Sequence, residues 1–126
     1  MINSRRKEPF RYLFAVPEPC LFQIIELNGL ELETRQAPAE LIDWNKSGCK
    51  LVAGLDLRSG DNLVRLTIDF PFAETFPLTV NGEVRWQSDN DGGYLYGIQF
   101  MSDDDLKERV KVEIRRLAAE NRINAV

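Results

Sequence analysis

The chain has 126 residues, 44% of them hydrophobic and 29% charged, with a net charge of −4 and no histidine. That size and balance describe one globular domain able to bury its own core. The acidic balance argues against a DNA or RNA binder, which carries a basic footprint, and the missing histidine removes the commonest general base and the Ser-His and Cys-His nucleophile pairs, so no enzyme is expected.

The chain opens on MINSRRKEPFR, which has no apolar core of signal-peptide type, and no later run approaches the ~20 apolar residues of a membrane span. The expectation is therefore a cytoplasmic protein without membrane insertion. Residues 1–11 hold Arg5, Arg6, Lys7 and Arg11 against Glu8, a local charge of +3 that leaves −7 on the other 115 residues. A basic arm on an acidic body fits either a small anionic ligand or an arm that pairs with its own domain.

From residue 11 short strand-like runs follow one another. RYLFAV is ended by PEP, LFQIIEL runs into the two-residue hairpin signal Asn28-Gly29, and LELETRQ returns from it. AELIDW and CKLVAG come next, then NLVRLTIDF with strict alternation, then FPLTVNGEVRWQ and YLYGIQFM joined by the polar loop SDNDGG. That loop lacks the offsets of a calcium site, since Gly93 stands two residues after Asp91. Near-regular spacing of this kind points to an antiparallel barrel or sandwich over residues 12–101. Cys20 and Cys49 fit no metal-ligand spacing and read as plain buried thiols, a disulfide being left open.

Residues 102–121 change period. Leu106, Val110, Ile114 and Leu117 form one apolar stripe at helical spacing, with Ser102 as the expected N-cap and Asp103 to Asp105 placed well against the helix dipole. The stripe is expected to dock on the chain's own barrel.

Two segments carry candidate binding chemistry, the basic arm and DWNKSG (residues 43–48). Arginine presents a planar fork that grips phosphate and matches the O6 and N7 acceptors of guanine. Asp43 can accept from guanine N–H donors, Asn45 can donate and accept, and Gly48 lets the backbone turn or approach closely. By alternation Ile42 and Trp44 share one face, with Trp44 in the core, and Asp43 and Asn45 share the other. Equally, Asp43 and Asn45 can shape a turn through side-chain bonds to the backbone, and Arg5 to Lys7 can be a solvated terminus.

The order of these segments resembles the PilZ domain, the bacterial receptor module for cyclic di-GMP. The resemblance rests on the arginine arm, D-x-N-x-x-G at 43–48, NGEVRW at 81–86, YLYGIQF at 94–100 and the closing helix. It implies a six-stranded antiparallel barrel with one C-terminal helix, a single domain over 1–126 with residues 1–11 as a mobile arm. It further implies that Arg6, Lys7 and Arg11 close over cyclic di-GMP, that Asp43, Asn45 and Gly48 meet it on the barrel, and that the reordered arm alters contact with a protein effector. No cofactor is implied. Four residues separate Arg6 from Arg11 where the family signature has three, and Asn45 stands where the family has serine. A second reading is an adaptor of the same fold that binds a protein partner and no nucleotide.

Overall fold

The strands form where alternation puts apolar residues on one face. The structure, a computed structural model, describes residues 11–74 and 77–126; Arg6, Lys7 and the rest of the predicted arm before Arg11 lie outside them. The elements are β1 (Tyr12–Leu27), β2 (Leu30–Glu31), β3 (Ala37–Asn45), β4 (Gly48–Ala53), β5 (Val64–Phe70), β6 (Leu78–Asn90), β7 (Gly93–Phe100), α1 (Asp104–Ala119) and β8 (Ile123–Ala125). Pairing runs β1-β3-β4-β7-β6-β5, and β5 returns to β1, so six antiparallel strands close a barrel. Closure leaves no long open edge for other chains to pair with. The short β2 and β8 are laid against β1.

Inside sit alternate residues of each strand, such as Val64, Leu66, Ile68 and Phe70 of β5. Trp44 anchors an aromatic cluster, with ring centroids 5.4 Å from both Phe70 and Phe72 and 5.9 Å from Phe14. Val110, Ile114 and Leu117 of α1 are buried as the stripe predicts, each burial worth about 1.5–3 kcal/mol. Cys20 and Cys49 are free thiols inside the barrel. Burial, then the charge of Glu40, pushes the Cys20 pKa up to about 12, and burial raises that of Cys49 as well, so neither forms a thiolate readily.

Several expected boundaries move. PEP does not end the first strand: β1 runs through it, and residues 14–17 form a wide bulge between the pairs Leu13↔Asp43 and Glu18↔Leu41. Pro17 falls in that bulge, where a missing N–H breaks no ladder bond. The return from Asn28-Gly29 keeps the predicted turn, with φ of 52° and 86°, but only two residues of LELETRQ pair as strand. SDNDGG shrinks to a turn at Asp91-Gly92, with φ of 42° and 83°, because this pair meets the positive-φ demand of a two-residue hairpin and the strands continue up to it. The helix is capped by Asp103, whose Oδ1 accepts from the Leu106 N–H at 2.9 Å; a carboxylate serves the helix dipole better than the Ser102 hydroxyl.

A basic groove with an aromatic floor

Two one-residue bulges shape one outer face of the barrel. In β3 the partners step from Leu41↔Leu51 to Asp43↔Lys50, so Ile42 is the extra residue. Trp44 is in the core as expected, but it shares that face with Leu41, while Ile42 is only half-buried. In β6 the step is from Val84↔Ile98 to Trp86↔Gly97, with Arg85 the extra residue. Strict alternation would bury Trp86 with Val84. The bulge turns it outward instead, 42% exposed, which is the re-aiming that bulges supply beside binding sites.

The register then lines up Asp43, Lys50, Gly97 and Trp86 across four strands. A side chain at Gly97 would overlap the Trp86 indole, so the ring fills the space over that glycine. Gly48 is needed for a different close approach, since a Cβ there would strike the Ile98 carbonyl oxygen.

The groove so formed encloses about 680 Å³, within the ≈ 300–1,000 Å³ of small-molecule sites. Arg11, Lys50, Arg85 and Lys107 bring four cations to its wall, beside Trp86, Asn45, Ser47 and Gly48, and among the described residues no Asp or Glu lines it. On a chain of net charge −4 this concentrates positive potential at one concave place, which raises the local concentration of an anion.

Of the residues singled out in the sequence, Arg11, Asn45 and Gly48 line this groove. Asp43 stands behind it, buried, its Oδ1 accepting from Arg11 Nε at 2.9 Å and its Oδ2 3.5 Å from Lys50 Nζ. It therefore holds two of the groove's cations by charge-assisted contact. The Asn45 side-chain oxygen accepts from the backbone N–H of Ser47 at 2.8 Å and of Gly48 at 3.0 Å, which is the turn-shaping arrangement the sequence had left open. Arg85 pairs with Glu83 at 2.7 Å. Ser102, displaced from its predicted capping role, is part of the wall.

Lys50, Arg85, Trp86 and Lys107 also line the groove, without having been expected from the sequence. Trp86 had a signal, a tryptophan on a strand whose neighbour carries glycine in YLYGIQF, but only the register brings the two together. Among the described residues no His, Cys, Asp or Glu cluster suits a metal ion, and no helix is long and apolar enough to cross a membrane.

The model of the PilZ domain family matches residues 4–120. The chain belongs to the PilZ domain family. No curated protein is matched by it. PilZ domains are ligand-binding modules, and the groove of this PilZ domain is built from the segments that carried the resemblance, D-x-N-x-x-G, GEVRW and YGIQF, with Arg11 and the start of the helix closing it.

Proposed function

We propose that this PilZ domain is a receptor for cyclic di-GMP and passes ligand occupancy to a protein partner through its N-terminal arm. The observation that carries the proposal is the conjunction in one groove of four cations and an outward indole, with no carboxylate on the wall among the described residues. Cyclic di-GMP presents two phosphates and two guanine rings. Arg11, with its fork steadied by Asp43, suits a phosphate or the guanine O6 and N7 edge. Trp86 offers a face for base stacking, and Lys50, Arg85 and Lys107 supply the remaining positive charge. Arg6 and Lys7 complete the reading as the residues of the arm that close over the bound ligand. Ordering each of them costs roughly 1–2 kcal/mol, which charge-assisted contacts to the phosphates must offset.

A thermal melt with and without cyclic di-GMP, with GTP as control, tests the receptor. Ligand at a hundredfold excess over its dissociation constant adds about 2.7 kcal/mol, which for a domain of this size raises the midpoint by on the order of 10 °C. No shift at saturating ligand overturns the proposal. It would favour the adaptor reading, which has one observation of its own: Asp43 and the Asn45 oxygen already have partners inside the protein.

Stacking makes a separate prediction. Trp86→Ala should weaken cyclic di-GMP binding by about 1–3 kcal/mol, the range for loss of one base–aromatic contact, and Trp86→Phe should keep part of it. Gly97→Ala should weaken binding in the same range, because its methyl group displaces the indole. Calorimetric titration of the three variants checks this; unchanged affinity in Trp86→Ala removes the ring from the site.

A further inference from the structure

Beyond Asn45, on the helix side, lies a second and smaller hollow. Tyr12, Asn45, Lys46, Lys111, Ile114 and Arg115 line it, and it encloses about 260 Å³. Asn45 is common to the walls of both cavities. Its chemistry differs from that of the groove. Tyr12, half-buried against the core, and the buried Ile114 make an apolar floor. Three cations stand around it, two of them from α1, where Lys111 and Arg115 are one turn apart on the same face. Lys111 has an exposed contact to Glu108 at 3.3 Å, of a kind that holds weakly. Lys46 and Arg115 have no ion-pair partner among the described residues.

We propose that this hollow docks an acidic segment of a partner protein, seating one apolar side chain against Tyr12 and Ile114 while flanking carboxylates pair with Lys46 and Arg115. Three observations select that occupant. The volume falls below the ≈ 300–1,000 Å³ range of small-molecule pockets and suits a single anchoring side chain. The apolar floor gives nothing to a bare phosphate, and a nucleic-acid strand needs a long basic track with repeated stacking faces, whereas here the cations surround one small depression. A segment of like charge is disfavoured there, and residues 1–11 carry +3. Charge complementarity therefore assigns the place to an acidic segment from outside the chain. The inference rests on the reading that this PilZ domain signals through a protein partner, and it places that partner beside the nucleotide groove with Asn45 between the two.

The test is an NMR titration of the isotope-labelled full chain with a capped acidic hexapeptide, Leu-Phe flanked on each side by two glutamates. Companion titrations use the same peptide with Gly-Ser at its centre, inorganic phosphate and a short oligothymidylate. The expected result is saturable shifts at the amides of Tyr12, Lys46, Lys111 and Arg115 with the first peptide. Binding should weaken by about tenfold or more when Lys111→Glu and Arg115→Glu are combined, and also with the Gly-Ser peptide. The variant's own spectrum reports that it is folded. No saturable shift at these amides, equal binding by the double variant, or a stronger response there to phosphate or oligothymidylate overturns the assignment. Cyclic di-GMP added to the same samples separates the two readings. A peptide response without a nucleotide response sinks the receptor alone, and the reverse sinks the docking site alone.

Discussion

Arg116→Ala is expected to lower the unfolding free energy by about 3–5 kcal/mol, the range for stranding one member of a buried ion pair, and the melting midpoint by roughly 10–20 °C. Glu113 is fully buried, and its Oε1 accepts from Arg116 Nη2 at 2.7 Å and Nε at 3.2 Å. Its other oxygen accepts from the Glu74 N–H at 3.2 Å, and Arg116 Nη2 also donates to the Phe72 carbonyl at 3.1 Å. The pair thus ties α1 to the turn after β5. Burial alone would lower the Arg116 pKa, but hydrogen bonds to Glu113 and Glu120 outweigh it and hold the pKa above its usual value. The exposed contacts of Arg116 with Glu74 and Glu120 add little; the loss comes from leaving the Glu113 carboxylate in the interior without its cation. Replacing both by methionine should recover most of the stability, because two apolar side chains leave no charge to solvate. Urea unfolding of the three proteins decides it. A loss below about 1 kcal/mol in Arg116→Ala would mean that Val110, Ile114 and Leu117 hold the helix by themselves.

Much of this architecture could be read from residue order. Alternation in NLVRLTIDF, the turn pair at 28–29 and the stripe of α1 each report a local preference, and the barrel keeps all of them. Bulges are what alternation cannot report, because an extra residue changes the facing of all that follows it. Hence Leu41, and not Ile42, is the core neighbour of Trp44 in β3, and hence the outward turn of Trp86 went unseen. Of the candidate site, D-x-N-x-x-G was visible as a motif, but its division of labour was not. Asn45 bonds within its own turn and Asp43 steadies cations from behind, and both facts depend on which strands become neighbours. Lys50, Arg85 and Lys107 are unremarkable as sequence. They gather only after β4, β6 and α1 have folded together.

The sign of the Asp43→Ala effect separates two roles for that carboxylate. If Asp43 only offsets positive charge, its removal leaves Arg11 and Lys50 unopposed beside the groove and an anionic ligand binds more tightly. Such a gain would be on the order of 0.5–1 kcal/mol for a charge about 8 Å away in a high-dielectric surface site. If it orients the Arg11 fork, or accepts from guanine, removal costs binding. The geometry favours the second role. Asp43 is 5% exposed and touches Arg11 at 2.9 Å through Nε, which leaves the two terminal nitrogens of the fork for a ligand. Losing a buried, charged hydrogen-bond partner is worth about 2–4 kcal/mol, so orientation outweighs the gain in potential. Asp43→Ala and Arg11→Ala should therefore each weaken cyclic di-GMP binding by about 2–4 kcal/mol. The two changes should be strongly non-additive, since each undoes the same contact. Calorimetric titration of both single variants and the double variant measures the coupling. Tighter binding by Asp43→Ala, or simple additivity, would show that Asp43 acts as a counter-charge and that the Arg11 fork is held by something else.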